Sequence, residues 1–333
     1  MQDSKEKMMI TWVLGFTLLA LSGRPAHPDV VARFDDQRLQ IGDDVIRYRL
    51  HVPDHAVQRR IDTPHTVDIL KKEASVGLVI WFHGRGESGA DNTSQLGYLE
   101  WVLGTGKREL PSEVMILALQ CPAEYPTWIG RGAGERDRLA MVEQAVAHVG
   151  DEYWIDPTRI YAAGVSDGAS ACWEFARRNP GLLAAILPMG TCELPSPLPE
   201  SLRRLRVWAF QAAGDGASTL RYLAAECLEV TMHGGAWALT AVDRPDHDCW
   251  TAALQDYGAW EWLLLQRRNS SQGCPPGTTP HRWRMMRAVK YVALTALSLI
   301  VLRVIRACGR WPSGSGPSFP ARLLACLPLQ RER

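Results

Sequence analysis

The sequence holds no Cys-x-x-Cys pair, no zinc-type spacing of cysteine and histidine, no phosphate-binding P-loop and no internal repeat. The first two absences exclude a zinc ribbon and a dithiol redox motif, although there are eight cysteines: Cys121, Cys172, Cys192, Cys227, Cys249, Cys274, Cys308 and Cys326. Those of the body are expected to be mostly small buried apolar residues, with disulfides open if the chain is secreted. No basic groove with interleaved aromatics runs through the body, so nucleic acid is not an expected partner. No uninterrupted apolar stretch reaches the roughly 20 residues of a membrane-spanning helix.

What is present is an ordinary globular composition, 46% hydrophobic and 22% charged over 333 residues. At about 100–200 residues per domain, that length fits one large domain with extensions or two small ones. The net charge of +1 conceals an asymmetry. Residues 267–333 hold twelve Lys/Arg and one acid, Glu332, leaving 25 basic and 35 acidic residues in 1–266. A basic tail beside an apolar run suits a membrane surface or an anionic partner, and equally a solvated, disordered tail.

Lys5 and Lys7 precede an apolar stretch from Met8 to Leu21, followed by small residues at Ser22 and Gly23. Residues 1–23 thus read as a signal peptide or N-terminal anchor, which predicts a secreted or membrane-associated protein of the secretory pathway. Ile46-Arg-Tyr-Arg-Leu-His-Val52 alternates like a half-buried strand. Residues 77–82 and 114–119 are continuous apolar runs, as in strands covered on both faces. Leu139, Val142, Val146 and Val149 mark one helix face. Strands at 160–163, 184–187, 206–210 and 237–242 then alternate with helices at 169–178, 218–227 and 250–266. That alternation predicts a mostly parallel sheet with helices on both faces, in a single catalytic domain over 30–268. Residues 269–287 read as a linker. Residues 288–306, around the uncharged Tyr291–Leu302, are a candidate transmembrane or membrane-surface helix, and 307–333 a basic disordered tail.

The chemistry concentrates at three points. Gly164-Val165-Ser166-Asp167-Gly168 matches G-x-S-x-G between a strand and a helix, where a strained turn lifts the serine oxygen above the sheet. Ser166 is the candidate nucleophile of an α/β-hydrolase fold. Phe82-His83-Gly84-Arg85-Gly86-Glu87 follows a strand at the place where such a fold supplies one oxyanion donor, so the N–H of Arg85 or Gly84 would act with that of Asp167. Chain order then requires an acid and a histidine after the serine. Asp215 and His247 both follow strands, with Asp243, Asp246 and Asp248 as rival acids and His233 as rival base.

These residues resemble a known group. Trp81-Phe-His-Gly-Arg-Gly-Glu-Ser-Gly, Leu119-Gln-Cys-Pro, Asp156-Pro-Thr-Arg-Ile-Tyr-Ala-Ala-Gly-Val-Ser-Asp-Gly, Phe175-Ala-Arg-Arg-Asn-Pro and Asp246-His-Asp-Cys-Trp look like segments of the predicted peptidases and esterases related to polyhydroxybutyrate depolymerases. More distantly they are similar to the phospholipase/carboxylesterase group. The resemblance covers about residues 40–266. It implies a compact α/β-hydrolase fold acting on carboxylic esters, a small-molecule or acyl-ester substrate and no cofactor. Three positions depart from the group. Asp167 stands where an apolar or amide side chain is usual, with Arg85 a candidate partner for its charge. Ala169 replaces a common glycine, and Gln211 a common histidine.

Three functions stay open on this reading: a serine esterase working through an acyl-enzyme, a serine peptidase or amidase on the same triad, and an inactive α/β-hydrolase used as a binding module. Trp128, Trp173 and Trp250 are either pocket-lining or core residues. Asn92-Thr-Ser94 and Asn269-Ser-Ser271 are N-glycosylation sequons.

Overall fold

The computed structural model describes residues 24–268 apart from 43, 55, 57–75, 104–113, 125–126, 131–136 and 216. All of these fall in the first of the two units into which the chain divides, Met1–Ala288. The expected signal segment, linker, apolar helix and basic tail, and the sequon at Asn269, lie outside the described residues. No helix among the described residues is long and apolar enough to cross a membrane.

Eight strands form one sheet: β1 (Asp35–Ile41), β2 (Asp44–His51), β3 (Val76–Phe82), β4 (Val114–Leu119), β5 (Ile155–Val165), β6 (Ala185–Met189), β7 (Arg206–Ala212) and β8 (Trp237–Val242). Their order is β1-β2-β4-β3-β5-β6-β7-β8. β1 pairs antiparallel with β2, and β2 with β4. From β4 to β8 every pairing is parallel. The helices are α1 (Pro28–Val31), α2 (Glu100–Leu103), α3 (Arg138–Glu152), α4 (Asp167–Arg178), α5 (Glu200–Arg203), α6 (Ala217–Met232), α7 (Trp250–Gln255) and α8 (Ala259–Leu265).

The continuous apolar strands are explained by two cores. Leu78, Ile80 and Phe82 of β3 join Leu139 and Val142 of α3, Phe175 of α4 and Leu223 of α6. The intervening Val79 and Trp81 join Val102 of α2, Leu254 of α7 and Leu263 of α8. Because successive strand residues face opposite ways, both parities must be apolar when both faces are covered.

Two expectations need correction. The helix expected over 250–266 is two helices, broken at Gly258 with φ 64°. β1 was not expected; its residues alternate only between exposed and half-buried, so it lacks the apolar signature of the central strands. The sequon at Asn92 is also unsuited to a glycan. Asn92 is 3% exposed, and its amide nitrogen donates to Asp36 Oδ1 (2.9 Å) and the Tyr48 carbonyl (3.2 Å). A glycan would replace one of this nitrogen's two hydrogens, so at least one of these bonds would be lost.

The chain passes from β3 to β4 on one side of β3 and returns to β5 on the other. In open parallel sheets, sites form beyond the strands' carboxyl ends at such a reversal. Phe82 stands level with Gly164 across this point, and Val165 with Met189.

Candidate active site

Ser166 occupies the turn between β5 and α4, with φ 55° and ψ −119°. A non-glycine residue in that region is strained and persists only where its surroundings enforce it. Here the Ser166 N–H donates to the Met189 carbonyl at 2.8 Å, and its own carbonyl accepts from Ala169 at the head of α4. The flanking glycines permit the close approach. A Cβ on Gly164 would stand 2.5 Å from the Gly168 carbonyl oxygen, and one on Gly168 would collide with the Phe82 carbonyl oxygen.

His247 and Asp215 meet the serine from neighbouring strands. Asp215 lies just beyond β7 and His247 beyond β8. His247 Nε2 is 2.9 Å from Ser166 Oγ, and Nδ1 is 2.6 Å from Asp215 Oδ2. Nδ1 therefore carries the proton donated to the carboxylate, and Nε2 is left to accept from the hydroxyl. Gln211 Nε2 donates to the same Asp215 Oδ2 at 2.5 Å, filling the place where the resembling group carries histidine. Trp250 packs edge-on to the imidazole, 5.2 Å between centroids at 89°. Gly190, at φ 74°, makes room for both rings, since a Cβ there would lie 3.2 Å from His247 Cε1.

The rivals Asp246, Asp248 and His233 are occupied elsewhere. Asp246 is paired with Arg244 at 2.8 Å, and Asp248 accepts from the Thr251 N–H and hydroxyl at 3.0 and 2.6 Å. His233 binds the Glu229 carbonyl at the end of α6.

The Asp167 carboxylate has a partner on a neighbouring loop. Its Oδ2 accepts the Trp128 backbone N–H at 2.9 Å. Arg85, the partner expected for it, is exposed. Trp128 itself is core: it is 3% exposed, donates from Nε1 to the His83 carbonyl at 2.9 Å, and packs on Phe82. Trp173 is buried and donates to Thr191 Oγ1.

The loop after β3 separates the two candidate oxyanion donors. The Gly84 N–H is directed to the Glu87 carboxyl, whereas the Gly84 carbonyl accepts from His83 Nδ1 at 2.6 Å and from the Glu87 N–H at 3.2 Å. In a trans peptide the Arg85 N–H points opposite that carbonyl. His83 Nε2 accepts the Cys121 N–H at 2.9 Å. Both ring nitrogens are thus satisfied in the neutral form, and burial pushes the imidazole down to about 4. Burial conversely pushes the Glu87 carboxyl up to about 7, against the N–H groups of Arg24, Gly84 and Glu87 and the Tyr98 hydroxyl.

Sequence reasoning assigned no role to Glu87, Tyr98 or Cys192. Glu87 lay inside the quoted loop motif, but nothing in its spacing shows that the side chain turns inward. Cys192 is exposed, and its thiol donates to the Gly190 carbonyl at 3.7 Å. The described cysteines Cys121, Cys172, Cys192, Cys227 and Cys249 are free. Among the described residues no group of three or more His, Cys, Asp or Glu side chains is arranged to hold a metal ion.

No family model and no curated protein matches the chain. Among solved structures it is similar to a thermostable esterase, at 24% identity and a TM-score of 0.58, over 72% of this chain and 64% of that one. The chain thus spans less than two thirds of that esterase. It is also matched by an arylesterase at 13% identity and a TM-score of 0.46, covering 75% of this chain and 91% of that one. A third match is an S-formylglutathione hydrolase, FrmB, from Staphylococcus aureus, at 11% identity and a TM-score of 0.47, covering 69% and 98%. The first likeness and the sheet order together identify the α/β-hydrolase fold.

Proposed function

We propose that the protein is a serine hydrolase that cleaves carboxylic esters through an acyl-enzyme. The observation that carries this reading is the unbroken line from Ser166 Oγ to His247 Nε2 at 2.9 Å and from His247 Nδ1 to Asp215 at 2.6 Å. Ser166 Oγ attacks the ester carbonyl as its proton passes to His247 Nε2. Asp215 holds the imidazole tautomer and stabilises the imidazolium. The N–H groups of Arg85 and Asp167 receive the oxyanion; Asp167 is the first residue of α4, where backbone N–H groups point out of the helix. Collapse of the tetrahedral species expels the alcohol, which takes the proton from His247. Water, deprotonated by the same imidazole, then releases the acid and restores Ser166.

The hydrogen bonding of the Asp167 carboxylate supports an active site over a binding scaffold. That acid was the feature favouring an inactive protein, and its carboxylate accepts the Trp128 N–H, which offsets its charge. The test is hydrolysis of p-nitrophenyl acetate and butyrate by the full chain beside Ser166→Ala, with fluorophosphonate labelling of both. Turnover and labelling lost together in Ser166→Ala is the expected result. A folded wild-type protein that neither turns over nor labels would refute the proposal.

A further inference from the structure

The loop that carries the Arg85 N–H is held by a buried acid. Glu87 is 2% exposed and ends the short 3-10 turn Arg85–Glu87. Its side chain folds back beneath the loop, with Oε2 2.9 Å from where a Cβ on Gly84 would stand. Ser166 Cβ lies 3.4 Å from that same point, so the acid and the serine both close on the loop at Gly84. The Glu87 carboxyl lies beside the backbone N–H groups of Gly84 and Arg24 and the Tyr98 hydroxyl, which draw its pKa down against burial. Tyr98 packs on Trp250 at 5.5 Å, and Trp250 on His247 at 5.2 Å. The Arg24 side chain is fixed in turn, paired with Glu100 and lying 4.8 Å over the Trp101 ring.

Peptide geometry converts this grip into an orientation. In a trans peptide the carbonyl and the following N–H point in opposite directions. His83 Nδ1 and the Glu87 N–H hold the Gly84 carbonyl on one side, so the Arg85 N–H is presented on the other. We propose that Glu87 is a positioning residue for the oxyanion donor, its carboxyl anchoring the Gly84 N–H so that the Gly84–Arg85 peptide faces Ser166. This rests on the esterase reading above, with the Arg85 N–H as donor.

A carboxyl accepts several N–H groups at once, whereas the amide of glutamine offers one acceptor oxygen and turns a donor toward the remaining N–H groups. Glu87→Gln in the full chain is therefore expected to lower kcat for p-nitrophenyl butyrate by about 10- to 100-fold, below the loss from deleting an oxyanion donor outright. KM should hardly change, because a donor aimed at the oxyanion acts on the transition state. Affinity for a trifluoromethyl ketone, which forms the tetrahedral adduct, should fall in parallel with kcat. Tyr98→Phe removes one hydrogen bond to the carboxyl and keeps the ring packing. It should lower kcat a few-fold at constant KM, and it serves where Glu87→Gln fails to fold. Wild-type turnover with unchanged kcat and unchanged ketone affinity in the folded variants overturns the inference and leaves the esterase reading standing. A rise in KM with kcat unchanged overturns it equally. A wild-type protein without turnover removes the esterase reading and the inference together.

Discussion

Gly168→Ala tests the closest approach in the site. The added Cβ would collide with the Phe82 carbonyl oxygen and stand 2.6 Å from the His83 carbonyl oxygen. Relaxed contacts of this kind sit at about 3.5 Å, so the first turn of α4 and the end of β3 must separate by roughly 1 Å. Every obstructing atom is backbone, so no side-chain rotation relieves the contact. Overpacking of this sort costs about 1–3 kcal/mol, which lowers Tm by roughly 2–4 °C per kcal/mol in a domain of this size. The effect on catalysis should be larger. One side of the contact carries Ser166 and the other carries the Arg85 donor, and a displacement of about 1 Å between reacting groups costs on the order of 100-fold. The assay is kcat/KM for p-nitrophenyl butyrate together with Tm. Gly150→Ala is the control, since Gly150 lies in α3 and a Cβ there meets nothing within 4 Å. That variant should keep full activity and gain up to about 1 kcal/mol of stability from helix propensity. Wild-type activity and Tm in Gly168→Ala would refute the argument that strand and helix are in backbone contact there.

Asp215→Ala should lower kcat by about 1,000- to 10,000-fold with little change in KM, read by stopped-time hydrolysis; a loss under tenfold would place the acid elsewhere. Asp167→Asn keeps an acceptor for the Trp128 N–H and removes the charge, so kcat should hold or rise by up to about tenfold. A fall in kcat would mean that the charge is used. Asp167→Leu strands that N–H and should cost about 1 kcal/mol in denaturant unfolding. The two buried titrating groups give opposite pH dependences. His83 is held neutral, so its contribution to stability is full above its unfolded value of 6.5 and is lost as pH falls through about 4. Glu87, raised from 4.5 to about 7, contributes fully below pH 4.5 and loses that contribution as pH rises through about 7. Urea unfolding at intervals from pH 4 to 8 should therefore show Glu87→Gln losing less stability than wild type between 4.5 and 7, by at most about 3 kcal/mol. Identical slopes would contradict burial of the carboxyl. Nitrogen-15 spectra should show His83 protonated on Nδ1 alone down to about pH 5.

The central strands were legible because burial on both faces leaves them with no polar parity. β4 and β8 were expected over the same residues that form them, Val114–Leu119 and Trp237–Val242. β1 was not legible, since it is an edge strand set by its hairpin with β2 and not by a buried face of its own. The break between α7 and α8 escaped for a different reason. Trp250, Leu254 and Trp260, Leu263 continue an apolar spacing through Gly258, so periodicity cannot register a change of axis made by one backbone angle.

The same distinction governs the site. Ser166, Asp215 and His247 could be named because chain order and strand ends constrain them, and the structure brings their side chains within hydrogen-bond distance. What could not be read was the direction of a side chain whose partner is distant in sequence. Asp167 faces a backbone N–H 39 residues earlier, and Tyr98, eleven residues on, faces the Glu87 carboxyl. Both acids stand beside the proposed oxyanion, where negative charge opposes the reaction. Their directions differ in consequence. Asp167 spends its charge on Trp128, at the start of a segment that packs over β3 through Phe82. Glu87 is buried beside Gly84, where burial raises its carboxyl to about 7 while the neighbouring N–H groups favour its charge. A carboxylate bonded to a distant backbone N–H and a buried carboxyl titrating near neutral pH are different arrangements, and the residue type alone distinguishes neither.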